Sequence, residues 1–193
     1  MKIDVGIINY NGGSELLGCV HSLKSQTVPL RVFVFDNAST DNSIQVLKDS
    51  GIDCVVIESQ KNLGYAGACN GLLDNMESEI QVLCNMDLEF SPDWAKNLLD
   101  CFERHPEVGS VASLVMEKSG VVNAVGVLFG ADLFAKNEAS GLNISEADIR
   151  EKEKHNPISG NKTHIRFSSE KQCFTKHSML MGLVRFCLGL SVM

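Results

Sequence analysis

The sequence predicts one α/β unit built on a mostly parallel sheet, and three observations carry that expectation. Over the first hundred residues, short apolar runs of strand length alternate with segments of helical period. Glycine, asparagine and aspartate punctuate the change-overs. The strongest polar clusters all fall just after an apolar run.

The first strand is the run Ile3 to Ile8, followed by the turn-forming Asn9-Tyr10-Asn11-Gly12-Gly13. Leu16, Leu17, Val20 and Leu23 recur at helical spacing. Arg31 to Phe35 is β-branched and aromatic, a second strand ending at Asp36-Asn37. Ser39, Thr40 or Asp41 can cap the next helix, which runs through Lys48 and is stopped by Gly51. Cys54 to Ile57 is a third strand, followed by a glycine-rich loop, Asn62 to Gly67, and a helix to about Met76. Ile80 to Cys84 is the fourth strand and runs into Asn85-Met86-Asp87. Ser91-Pro92-Asp93-Trp94 predicts a helix start, with Ser91 as cap and Pro92 at the first helical position. That helix ends near His105-Pro106, and Val108 to Met116 and Val121 to Phe129 are further strand candidates. Residues 137–178 are polar and without alternation, and a short helix from Ser145 to Lys154 is the one element expected there.

A chain of 193 residues with 44% hydrophobic content can bury one substantial core. The net charge of −7, with no basic stripe, excludes an electrostatic footprint for nucleic acid. A phosphate held by backbone N–H groups and a metal remains compatible with that charge. Seven cysteines, at 19, 54, 69, 84, 101, 173 and 187, include no C-x-x-C pair and read as reduced core residues. The amino end carries no signal-peptide pattern, and no run of about 18 apolar residues occurs. The apolar segment Met179 to Met193, interrupted by Arg185, is where a peripheral membrane contact would fall.

In an open parallel sheet, ligands bind beyond the carboxyl ends of the strands. Four polar clusters sit at such ends, so their coincidence carries more weight than any one of them, each of which alone is ordinary turn chemistry. Asp36-Asn37 sets an acceptor beside an amide that both donates and accepts, a pair able to read a pyrimidine edge or a ribose. Gly64 and Gly67 let backbone approach a ligand and permit positive φ. Their spacing is neither G-x-G-x-x-G nor a Walker A loop, which counts against a dinucleotide fold and a P-loop. Asp87 at the lip of the fourth strand suits Mg²⁺ or Mn²⁺, which take one or two carboxylates plus substrate phosphates. Glu89 is expected to face out or along the strand.

Asn9-Tyr10-Asn11-Gly12-Gly13, Val34 through Asp41, Asn62-Leu63-Gly64-Tyr65-Ala66-Gly67, and Asn85-Met86-Asp87 with Pro92-Asp93-Trp94 agree in order and spacing with one family. Over roughly residues 1 to 130 the chain resembles the family 2 glycosyltransferases of the GT-A fold, in particular the rhamnosyltransferase-like branch. The resemblance implies a GT-A-type sandwich with a mostly parallel central sheet, incomplete at the carboxyl end. It also implies a dTDP- or UDP-sugar donor, inversion at the anomeric carbon, and a saccharide or lipid-linked saccharide acceptor. By that likeness Tyr10, Asp36 and Asn37 contact base and ribose, and Asn62, Gly64 and Asn70 line the donor pocket. Asp87 holds Mg²⁺ or Mn²⁺, Asn85 replaces the first acid of a D-x-D motif, and Met86, in place of the branch's proline, matters little.

Two regions are expected: residues 1–135 as the nucleotide-sugar-binding domain and residues 136–193 as a remnant or altered acceptor region. The family's general base has no convincing counterpart: Glu146-Ala147-Asp148 lies in a polar segment without the apolar and aromatic flanks the resemblance leads one to expect, and Glu138 is isolated. The catalytic base is therefore unknown, and a non-catalytic nucleotide-sugar-binding fragment is the alternative reading. A nucleotidyltransferase is disfavoured because Lys2 and Arg31 are badly placed to handle a triphosphate. The loss of pattern beyond about residue 136 makes truncation or a reading-frame change a hypothesis that the encoding DNA decides. The expected location is cytoplasmic, at or near the inner face of the membrane.

Overall fold

The structure, a computed structural model, describes residues 1–106, 110–117, 119, 121–124 and 126–129, and beyond these the strand segments 135–138, 154–155, 164–167, 173–175 and 183–186. The amino-terminal elements are β1 (Ile3–Asn9), α1 (Gly13–Lys24), β2 (Arg31–Asp36), α2 (Ser43–Asp49), β3 (Val55–Glu58), α3 (Gly64–Leu73), β4 (Ile80–Asn85), β5 (Leu88–Phe90) and α4 (Trp94–Arg104). Short strands follow: β6 (Ser110–Ala112), β7 (Val115–Glu117), β8 (Val122–Ala124), β9 (Gly126–Phe129), β10 (Ala135–Glu138), β11 (Lys154–His155), β12 (His164–Phe167), β13 (Cys173–Thr175) and β14 (Leu183–Phe186).

The central sheet has the order β14-β4-β1-β2-β3. Strands β1 to β4 are mutually parallel where they pair, and β14 joins the β4 edge antiparallel. Strand alternation sends side chains to two faces. Ile3, Val5, Ile7, Val32, Val34, Ile80, Val82 and Cys84 pack with α1, α2 and α4. Ile8, Phe33, Phe35 and Leu83 pack with Ala68 and Leu72 of α3. A sheet covered on both faces needs the near-continuous apolar runs that the sequence shows.

Gly67 and Gly71 lie inside α3 rather than in a ligand loop, which corrects the expectation of a glycine-rich loop reaching Gly67. The helix already begins at Gly64, and neither inner glycine has positive φ. Their role is packing. A Cβ on Gly67 would stand 2.6 Å from Leu63 Cβ, and one on Gly71 would stand 2.3 Å from Phe35 Cε2. Phe35 is buried and its ring is rigid, so the clash cannot be relieved by a flexible chain end. Gly71→Ala is therefore expected to destabilise by about 1–3 kcal/mol, overpacking outweighing the better helix propensity of alanine. Urea denaturation checks this, and a midpoint equal to or above wild type would contradict it.

The start of α4 also differs from expectation. The helix begins at Trp94, Pro92 precedes it, and Ser91 Oγ is buried without a hydrogen-bond partner. Gln26 does the capping from the far end of α1: its Oε1 accepts from Ala95 N at 2.9 Å, and its Nε2 donates to Ser91 O at 2.7 Å. A side chain 69 residues away thus meets an orphan helix donor.

Beyond Lys136, strands occur where the sequence leads one to expect none, and β12, His164-Ile165-Arg166-Phe167, does alternate. β12 pairs parallel with β6, β13 lies between β5 and β7, and β14 lies beside β4. The expected helix at 145–154 lies outside the described residues except at Lys154, which belongs to β11. Glu146-Ala147-Asp148 is likewise outside them, and Glu138 is on β10 with Gly126 as its register partner.

Candidate functional site

Register brings the polar clusters to one edge. Asn9 pairs with Asp36 across β1 and β2, Ile8 pairs with Asn85 across β1 and β4, and Asp36 pairs with Glu58 across β2 and β3. All of these are carboxyl-terminal strand ends, so the loops that follow must converge.

Asn9 and Asp36 form the centre. Asn9 is fully buried, and its Nδ2 donates to Asp36 Oδ1 at 2.8 Å, Ser43 Oγ at 3.0 Å and Ser39 Oγ at 3.1 Å. Asp36, also buried, accepts from Ser39 Oγ at 2.5 Å and, on its other oxygen, from Ser39 N at 3.1 Å. The carboxylate that the sequence assigns to base or ribose is thus already bonded within the protein. Sequence reasoning did not single out Asn9. The available signal was its direct pairing with Asp36 at the ends of adjacent parallel strands.

The loop after β1 and the loop after β2 are laced together by reciprocal bonds. Asn11 N donates to Ser39 Oγ at 2.9 Å, Thr40 N donates to Asn11 Oδ1 at 2.7 Å, and Asn37 N donates to Asn9 O at 2.9 Å. Gly13 N, at the head of α1, donates to Asp41 Oδ2 at 2.8 Å. Asp41 therefore satisfies an orphan donor of α1 while its Oδ1 accepts from Ser43 Oγ at 2.6 Å. The Ser43 bond, with help from Gly13 N, holds the Asp41 carboxyl below its ordinary range against the opposing effect of burial. Because Ser39 and Asp41 are engaged in this way, α2 starts later than expected, at Ser43.

Two non-glycine residues here have left-handed backbone, Asn11 at φ 54° and Ala38 at φ 62°. Asparagine tolerates that region, and Asn11 answers it with its side-chain bond to Thr40. Alanine has no such compensation, so Ala38 stores on the order of 1 kcal/mol of strain, held by the bonds of Asn37 N and Ser39 N on either side.

Asn37 carries the platform to the third loop. Its Oδ1 accepts from Leu63 N at 2.8 Å, and its Nδ2 donates to Asn62 Oδ1 at 3.0 Å and Gly64 O at 3.3 Å. Asn62 Oδ1 also accepts from Gly64 N at 2.8 Å. Gly64 has φ 69°, as the sequence expects of it. Asn70 is exposed on α3, and its carbonyl accepts from Asp74 N.

Two aromatic rings remain open at this edge: Tyr10 is 45% exposed and Tyr65 37%. Burial of its hydroxyl, beside Cys69 and Cys84, pushes the Tyr65 phenol up, so it stays protonated. Asp87 lies half-buried in the turn between β4 and β5, and Glu89 is exposed, facing outward as expected.

The donor set at that turn fits a hard cation in one mode only. Asp87 brings a carboxylate and Asn85 an amide oxygen, while no group of three histidine, cysteine, aspartate or glutamate side chains occurs among the described residues. Such a turn can hold Mg²⁺ or Mn²⁺ only with oxygens completed by a diphosphate and water.

A mostly parallel sheet covered by helices on both faces, with its loops knitted into one platform at the carboxyl edge, is an arrangement shared by the GT-A fold. The chain belongs to glycosyl transferase family 2, whose family model matches residues 4–172. It is 29% identical over 113 residues to an uncharacterized glycosyltransferase of Nostoc sp., covering 56% of this chain and 35% of that one. It is 25% identical over 132 residues to the N-acetylglucosaminyl-diphospho-decaprenol L-rhamnosyltransferase of Mycobacterium tuberculosis, covering 62% and 43% respectively. The chain thus spans less than half the length of these relatives. Among solved structures, S. aureus TarS 1-349 in complex with UDP-GlcNAc superposes with a TM-score of 0.62 at 18% identity, covering 93% of this chain and 59% of that 1-349 chain. The mannosyltransferase PcManGT from Pyrobaculum calidifontis, in complex with GDP-Man and Mn²⁺, gives a TM-score of 0.51 at 23% identity, covering 58% and 35%. Both confirm the GT-A fold.

Proposed function

We propose that this chain binds a dTDP- or UDP-linked sugar and transfers the sugar, with inversion, to a saccharide or lipid-linked saccharide acceptor. The observation that carries the reading is the platform itself: Asn9, Asp36 and Asn37 lock three strand-end loops into one preformed surface. Preformed polar geometry avoids the cost of ordering loops when ligand arrives.

On that surface the open ring of Tyr10 stacks on the base. Asp36 and Asn37 set the base and ribose contacts, and Asn62, Gly64 and Asn70 line the donor pocket. Asp87 would hold Mg²⁺ or Mn²⁺, with Asn85 standing where the motif's first acid would be. When bound, that ion neutralises charge on the leaving diphosphate. Residues 1–135 form this donor domain, and residues 136–193 form an altered acceptor region. The protein works in the cytoplasm at the inner face of the membrane. Among the described residues no helix is long and apolar enough to cross a membrane.

A second reading, a nucleotide-sugar-binding fragment without a general base, is favoured by the setting of Glu146 and Asp148 in a polar stretch with no aromatic residue between Phe134 and Phe167. Calorimetric titration with UDP and dTDP, with Mn²⁺ or with EDTA, tests the binding surface. Wild type is expected to gain affinity with Mn²⁺, and Asp87→Ala to lose that gain by tenfold or more (about 1.4 kcal/mol). No gain in wild type, or the same gain in Asp87→Ala, would remove the metal assignment. Release of sugar from the bound donor then separates the two readings: nucleotide binding with no sugar ever released selects the fragment.

A further inference from the structure

The turn that carries Asp87 does not stand free at the end of β4. It is seated on α1 and the loop before it at three points. Cys19 Sγ donates to Asn85 O at 3.7 Å, and Ser22 Oγ accepts from Phe90 N at 3.0 Å. The third point is Met86, partly buried against the α1-side core and in contact with Gly12. A Cβ added to Gly12 would stand 2.7 Å from Met86 Cγ and 2.4 Å from Asn9 Oδ1, both closer than real Cβ atoms approach. Gly12 is therefore a joint, with the Met86 side chain resting on bare backbone.

The floor of that joint is fixed. The three oxygens around Asn9 Nδ2 orient the carboxamide, since only its nitrogen can face the Asp36 carboxylate. Its buried Oδ1, without a hydrogen-bond partner, is thereby turned towards Gly12. One point thus joins the end of β1, the first loop and the Asn85-Met86-Asp87 turn.

We propose that Met86 is a positioning residue: wedged against Gly12, it sets where the Asp87 carboxylate stands relative to the nucleotide platform. The exchange of proline for methionine at this position then matters, contrary to the sequence expectation. The proposal rests on the metal reading of Asp87.

The test compares Met86→Ala and Met86→Leu with wild type and Asp87→Ala, titrating each with UDP in EDTA and in Mn²⁺. Leucine keeps an apolar Cγ against Gly12, and alanine removes it. Met86→Ala is expected to keep its UDP affinity in EDTA within about twofold and to lose about tenfold of the Mn²⁺ gain, the range seen when supports of a metal ligand are removed. Met86→Leu is expected to restore the gain. If Asp87→Ala loses the gain and Met86→Ala keeps it, the positioning role is overturned and the metal reading stands. Equal loss in EDTA and Mn²⁺ makes Met86 a general packing residue and also overturns it. If wild type shows no gain, both readings fall together.

Discussion

Replacing Asp4 with asparagine is expected to destabilise the protein by about 2–4 kcal/mol at neutral pH. Asp4 is fully buried at the amino end of β1, on the edge opposite the nucleotide platform. Its oxygens accept from Arg31 Nε and Nη2 at 2.7 Å each, from Ser78 Oγ at 2.7 Å, and from Glu77 N and Ser78 N at 2.9 Å each. In this arrangement every partner donates, so an amide nitrogen at either position faces a donor. Arg31 is 56% exposed, so solvent screens part of the ion pair, and the larger loss comes from the buried N–H groups left unmet.

The same carboxyl gives stability a defined dependence on pH. Burial alone would raise its pKa, but Arg31, Ser78 and Glu77 together outweigh burial and hold it below the ordinary 3.8. The unfolded chain therefore takes up the proton first as pH falls. The contribution is present above about pH 4 and is lost below it, through the depressed folded value. Denaturant midpoints at pH 7 and pH 3 check both parts. The gap between wild type and Asp4→Asn should be wide at pH 7 and narrower at pH 3. Equal midpoints at pH 7 would remove the anchoring role.

What the sequence makes legible here follows from where the free energy of each element comes from. β1, β2 and β4 are buried on both faces, so their apolar runs are written in their own residues and are readable at once. The convergence of polar clusters is readable for a related reason: parallel strands deliver their following loops to one edge. The partners within that edge are not local. Asp41 meets Gly13 N from 28 positions away, and Gln26 caps a helix that starts in another loop. The glycines of α3 are the sharpest case. Gly64 is a backbone residue with φ 69°, whereas Gly71, seven positions on, is a gap cut for Phe35, and composition alone gives both the same appearance. Beyond residue 136, β12, β13 and β14 pair with β6, with β5 and β7, and with β4, partners far away in sequence, and only the short β12, His164-Ile165-Arg166-Phe167, alternates.

Asp36→Ala is expected to lower UDP affinity by thirtyfold or more (about 2 kcal/mol or above), with a stability loss of about 2 kcal/mol, because it removes the carboxylate shared by Asn9 Nδ2, Ser39 Oγ and Ser39 N: Asn9 Nδ2 keeps Ser43 and Ser39, while Ser39 N loses its acceptor. Two causes would give that loss, and they differ in how it combines with a second change. If Asp36 acts by touching ribose or base, removing Ser39 as well adds a further, separate loss. If Asp36 acts through the loops, holding Ser39 so that Ser39 holds Asn11, the two residues are links of one chain and cutting the second link adds little. The geometry favours the second cause: Oδ1 of Asp36 already serves Asn9 and Ser39, and Oδ2 serves Ser39 N. A double-mutant cycle of Asp36→Ala and Ser39→Ala, read as UDP affinity in EDTA, is therefore expected to show strong non-additivity, with the double variant within about threefold of Asp36→Ala. Additive losses would instead make Asp36 a direct ligand contact and leave the lacing of the loops to Asn11 and Asp41.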